Sequence, residues 1–358
     1  MVKYRVGQAR NNNEDILITN RMYSAMREAI GMVVFLPKRL DTKTVFNIIT
    51  QMDNDKEIEY CLDITKLTFS RPFGALVLST ELAYICQKEG RNIKLQGYSE
   101  FNEVHSYLGH IGFFKTAYYS FGKEPGEARG NNRYIPIRKL SKKYFLDQQA
   151  EMEDEFGVTR PLQDFIQSES DKMACLITYN PDEVDAISYC FREIIRNVFE
   201  HGDADECIVC GQKWSNGEVE IGIIDNGCGI LNSLKQKFNI SSNAEALEMA
   251  LQPGVSSKDI NARHAWSNSG FGLYILSEIG KRFGKFMVCS GNQGIVCSSG
   301  QQKANNYGFH GTAIQITINI NDSKGMLSVI DSIADEGEKI AAQEGRIVKA
   351  SQKSRMVW

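Results

Sequence analysis

Twice along this chain, short β-rich apolar runs alternate with longer helix-like segments, and that alternation limits the fold to sheets carrying helices. In the first block the runs are 31–37, 58–64 and 92–97, with helical stretches at 42–52, 75–88 and 100–108. The pattern predicts an α/β layer with some parallel pairing. A second block opens at Asp171 with the run ACLITY, read as a strand, and a long helix from Pro181 to His201. Strands near 206–214 and 218–225, a helix over 271–283 and further strands to Ile320 complete it. Between the blocks, residues 115–170 are rich in glycine, asparagine and alternating charge and read as a connector, with a helix near 141–155.

Length agrees with two domains, since 358 residues at roughly 150 per domain give about two. The expected division is an arm over 1–27, a regulatory domain over 28–122, a connector over 123–170, a second domain over 171–322, and a C-terminal helix with a basic tail over 323–358. The net charge of −3 provides no global field for nucleic acid or anionic lipid. Apolar runs such as 32–36 and 74–78 are far shorter than the 18 or so residues of a membrane helix. The N-terminal stretch lacks the apolar segment of a signal peptide. Nine irregularly spaced cysteines fit a reduced interior better than a disulfide framework, so a cytoplasmic location is expected. Cys207 and Cys210 form a CxxC, but no second pair completes a zinc site, and on a strand residues three apart face opposite ways.

Three short signals carry chemistry. Glu193, Asn197 and His201 repeat every four residues on one helix and lie on one stripe. A carboxylate can take a proton from water, and an amide oxygen can serve as one corner of a magnesium octahedron. Asp225-Asn-Gly227-Cys-Gly229 follows an apolar strand. Its glycines let backbone approach a flat ligand, and its carboxylate can accept a hydrogen bond from an exocyclic amine. A plain Asp-Asn-Gly turn is the competing reading. Ser269-Gly270-Phe-Gly272-Leu273 opens a helix, where unpaired N–H groups suit phosphates. It is neither the dinucleotide-binding fingerprint nor a P-loop.

In this order, with a Gly/Ser/Asn-rich stretch of some forty residues read as a lid between the last two, these motifs resemble the GHKL superfamily of ATP-binding domains over roughly 171–320. Gyrase, heat-shock, histidine-kinase and MutL-type ATPases make up that group, and the closest flavour is that of histidine kinases and anti-sigma-factor serine kinases. Val255-Ser-Ser-Lys258 resembles their lid element, and Gly311-Thr312 resembles the Gly-Thr that closes their adenine pocket. The resemblance implies an α+β two-layer sandwich binding ATP and Mg2+. Glu193 would be the water-activating base or would orient a hydroxyl, and Asn197 would bind magnesium. Asp225 would read adenine, with Gly227 and Gly229 flooring its pocket. Gly270, Gly272 and Leu273 would hold phosphates, with Lys258 reaching them from the lid and Thr312 closing the pocket. His201 would either stand near the phosphates or cap the helix C-terminus. No phosphoacceptor hairpin of the two-component type precedes the domain.

Residues 58–114 resemble STAS domains, the fold of anti-sigma-factor antagonists, which implies a regulatory module that binds a protein partner. Pro72 and Phe73 stand before Gly74 where that family's phosphoacceptor serine would be. The expected function is an ATP-dependent conformational switch with slow hydrolysis. A serine/threonine kinase acting on a separate partner and a nucleotide sensor without turnover are the alternatives. Homodimerisation is implied by resemblance alone. Arg346, Lys349, Lys353 and Arg355 give the tail a basic character that allows weak nucleic-acid contact, although a solvated tail is the preferred reading.

Overall fold

The computed structural model describes residues 32–54, 59–151, 162–257 and 269–355. The first elements are β1 (Met32–Phe35), β2 (Arg39–Leu40), α1 (Thr42–Asn54), β3 (Glu59–Asp63), β4 (Phe69–Ser70), α2 (Pro72–Lys88), β5 (Asn92–Gln96), α3 (Glu103–Ile111) and α4 (Phe113–Thr116). Strands β1, β3 and β5 pair in parallel with β3 central, as the alternation predicts, and β2 pairs with β4. Then come β6 (Tyr134–Ser141), α5 (Lys142–Glu151), α6 (Leu162–Cys175), α7 (Pro181–His201), β7 (Glu206–Lys213), β8 (Glu218–Asp225), α8 (Gly229–Lys235) and α9 (Asn243–Ala250). The chain continues through α10 (Gly272–Phe283), β9 (Gly284–Gly291), β10 (Gln293–Ser298), β11 (Gln301–Asn305), β12 (Phe309–Asn319) and α11 (Ser323–Gln343).

Strands β6 to β12 form one antiparallel seven-stranded sheet in the order β11-β10-β9-β12-β8-β7-β6. Its side chains alternate between two apolar clusters, as a period of two requires. Val219, Ile221 and Ile223 of β8 and Ile314, Ile316 and Ile318 of β12 pack toward the helices of the second half. Ile224, Met287, Cys289, Phe309 and Ala313 point the other way, into a cluster with α1 and α2. The sheet is therefore covered on both faces. A side chain at Gly222 would meet Phe73 of α2 at 2.9 Å, so this glycine lets helix and sheet close.

Polar contacts accompany the packing. One oxygen of the fully buried Glu220 accepts from the Phe73 N–H (3.0 Å), and the other pairs with Arg71 (2.9 Å). Thr42 donates to Gln315 (2.8 Å) and Tyr107 to Gln212 (2.9 Å). His310 Nδ1 lies 2.6 Å from Glu81 of α2, and its ring stacks on Tyr84.

Several sequence expectations give way. The stretch read as a connector supplies β6, an edge strand of the sheet, and the start of α6, while α5 falls where a helix near 141–155 was expected. The expected strand at ACLITY is the end of α6 and a turn, with Leu162, Ile166, Met173 and Ala174 facing the core at helical spacing. The expected lid carries two short helices, α8 and α9, and its segment 258–268 lies outside the described residues. The tail is folded back: Arg355 pairs with Asp335 (2.7 Å) and Glu338 (2.8 Å), and Arg346 pairs with Glu344. Cys207 and Cys210 enter opposite apolar clusters, as a strand demands, and burial raises the pKa of each thiol. Among the described residues, no cluster of three His, Cys, Asp or Glu could hold a metal, and no helix is long and apolar enough to cross a membrane.

Candidate functional site

Helix α7 presents the first motif. Asn180 caps it by accepting from the N–H groups of Asp182 and Glu183, Pro181 occupies the first turn where its missing donor is harmless, and two acids there favour the dipole. Asn197, one turn after Glu193, lines a cleft of about 650 Å³, counting its mouth. Its other walls include Asp225, Gly229, Gly270, Gly272, Leu273 and Thr312. Motifs separated by up to about 115 residues thus meet in one cavity.

Glu193 does not line the cleft, but Gly272 joins it to the wall. A Cβ at Gly272 would lie 2.7 Å from Glu193 Oε2 and 3.5 Å from Asn197 Nδ2. The start of α10 thus rests against the Glu-x3-Asn stripe, and only glycine leaves room. Arg192 Nε and Arg196 Nη1 pair with Glu193 Oε1 at 3.2 and 3.4 Å, and Arg196 also pairs with Glu200 at 3.1 Å. These groups are almost wholly buried, so the glutamate belongs to a charge network.

Asp225 ends β8 and lies opposite Thr312 of β12. Its Oδ1 accepts from the Gly227 N–H at 2.9 Å. Burial pushes its pKa up to about 7, although hydrogen bonds from Gly227 and Thr312 oppose the rise. Gly227 does not line the cleft and acts through Asp225. It also presses on the Gly202 carbonyl, 1.9 Å from where its Cβ would be. Gly229 (φ +75°) and Gly270 (φ +74°) adopt left-handed backbone that side chains disfavour. The His201 side chain and Lys258 fall outside the described residues, so their expected roles have no placement.

Further residues support the wall from behind or add to it. Ser290 of β9 donates to the Gly311 carbonyl (2.9 Å) and accepts from the Ile230 N–H (3.0 Å), tying β12 to α8. Ile230, Leu234 and Val255 make one side apolar, as suits a flat ring. The i+3 position of Arg196 after Glu193 could have signalled one ion pair, whereas the adjacent Arg192 could not. Nothing local marks Ser290. Neither a family model nor a curated protein matches the chain.

Proposed function

We propose that this cleft binds ATP with magnesium in the manner of the GHKL domains that the motifs resemble, and that binding acts as a conformational switch with slow turnover. The observation that carries the reading is the convergence of Asn197, Asp225, Gly229, Gly270, Gly272 and Thr312 on one cavity. Asp225 offers a buried acceptor, of the kind that an exocyclic amine satisfies, beside an apolar wall fit for a base. The backbone at Gly270–Leu273 opens a helix, where N–H groups suit phosphate oxygens. The donor set fits magnesium held jointly with a ligand. Asn197 can give one oxygen, and without a three-carboxylate cage among the described residues the remaining ligands would be phosphates and waters.

Bound MgATP would supply the transferable phosphoryl group. Glu193 would orient water or a hydroxyl beside Gly272, and Arg192 and Arg196 fix where its carboxylate stands. This double pairing also favours the second reading, a sensor that binds without turnover, because a carboxylate engaged by two guanidiniums is a poorer proton acceptor. The N-terminal unit, with its parallel strands and helices, would serve as a STAS-like regulatory module meeting a protein partner.

The deciding experiment follows the γ-phosphate of labelled ATP with the full chain and magnesium. Phosphate release lost in Glu193→Ala, with binding retained, supports the switch. Binding without release favours the sensor, or a kinase lacking its acceptor. Absence of binding overturns the reading.

A further inference from the structure

Beyond α11 the chain turns at Gly345 (φ +80°) and runs back across the molecule. Val348 lies against Gly254 so closely that a Cβ there would come within 2.2 Å of Val348 Cγ2. The Ala350 N–H donates to Glu338 (2.9 Å), and Arg355 grips Asp335 and Glu338. Ser354 is fully buried, with Oγ 3.4 Å from the Ser269 hydroxyl, and its carbonyl accepts from the Tyr189 hydroxyl at 3.0 Å.

Two of these contacts, at Gly254 and Ser269, fall on the two backbone arms that enter the cleft, and the others anchor the segment to α11 and α7. One arm carries Gly254 and leads into Val255, Ser256 and Ser257, and the other carries Ser269 and leads into Gly270. The Gly254 N–H donates to the Gly270 carbonyl at 3.1 Å, joining the arms. A second branch runs through α7: Arg192 lies 4.9 Å over the Tyr189 ring, donates to Glu193 and is anchored by Gln167 at 2.9 Å. None of the described side chains of 346–355 lines the cleft.

We propose that residues 346–355 form a strap that positions both arms of the cleft and, through Tyr189 and Arg192, the carboxylate of Glu193. Tyr189, Val348, Ser354 and Arg355 are positioning residues that touch no ligand. The functional arm of the proposal rests on the nucleotide reading of the cleft; the structural arm does not.

The test uses the full chain carrying Arg355→Ala, Arg355→Lys or Tyr189→Phe, with two readouts. Amide exchange over 254–257 and 269–272 rises about tenfold in Arg355→Ala, the size of one lost tertiary interaction, and less in Arg355→Lys. Affinity for a fluorescent ATP analogue falls about tenfold in Arg355→Ala, while Tyr189→Phe lowers kcat with KM unchanged. Unchanged exchange in both Arg355→Ala and Tyr189→Phe overturns the strap. If Arg355→Ala fails to fold, exchange in Tyr189→Phe, which loses one hydroxyl, decides alone. If the wild type binds no nucleotide, the nucleotide reading falls, and exchange still judges the strap.

Discussion

A ligand that donates an amine hydrogen bond to Asp225 would bind the cleft in a pH-dependent way. The Asp225 pKa of about 7 in the free protein lies above the unfolded value, so the ionised form costs stability that protonation restores. Folding stability attributable to this group is greatest below its unfolded pKa and is lost as pH rises through about 7. A ligand amine donating to the carboxylate favours ionisation, so binding releases protons near neutrality and affinity rises with pH across that range. Calorimetry in buffers of different ionisation enthalpy reads the release directly, and Asp225→Asn abolishes it. At Gly272, alanine forces apart a Glu193 carboxylate that two arginines hold in place. Affinity or turnover in Gly272→Ala falls about tenfold or more, and the melting temperature falls with it, because the displaced carboxylate is buried in its ion-pair network. Asn197, Asp225 and Gly272 could be picked out as candidates because their chemistry and spacing are local, whereas Thr312 came from the family resemblance alone. The ion pair of Glu193 with Arg196 was legible only as spacing, and Ser290 not at all, because its partners lie 21 and 60 residues away.

Among the elements, α2 carries the contact between the two halves, packing on β8 and β7 and, less extensively, on β12. Phe73 N–H and Arg71 both engage Glu220, a carboxylate that burial makes costly to ionise. Arg71→Ala leaves that charge without its guanidinium and destabilises the protein by about 3–5 kcal/mol in chemical denaturation. Arg71→Met with Glu220→Gln costs less, because no buried charge remains. In β12, the register shifts between Phe309 and Thr312, so His310 reaches Glu81 while Thr312 faces the cleft. The hydrogen bond that His310 Nδ1–H donates to Glu81 raises the His310 pKa against burial, with the negative charges of Glu81, Asp53 and Glu89 adding to the rise. Its stabilisation is complete below the unfolded pKa and is lost as pH rises through the higher folded value. The stability gap between wild type and His310→Ala therefore narrows from mildly acidic to alkaline pH, measured by urea denaturation. Strand β6 escaped the sequence reading for a physical reason. Pro136 sits at a register shift in an edge strand, the setting in which a sheet tolerates proline, and the charges around it obscure the alternation.

For the whole molecule, the two alternating blocks were readable as blocks, but their union was not. Periodicity reports which face of an element is apolar and says nothing about which distant element covers it. Ile208, Cys210 and Ile224 form the far face of the sheet, and only the three-dimensional packing assigns them to α1 and α2. Residues 171–322 expressed alone would expose that face and lose β6. Such a fragment is expected to bind a hydrophobic dye and aggregate, whereas the full chain does neither; a monodisperse, dye-silent fragment would show that the second half is self-sufficient.

The same union sets a timetable for biosynthesis. Helix α2 leaves the ribosome early, with twelve of its residues destined for burial, yet β12 is complete only about 230 residues later. At about 5–20 residues per second, α2 waits on the order of 10–50 s for part of its apolar cover. Over that interval the nascent chain would offer an apolar helix to holdase chaperones, so the yield of folded protein is expected to depend on translation speed as well as on final stability.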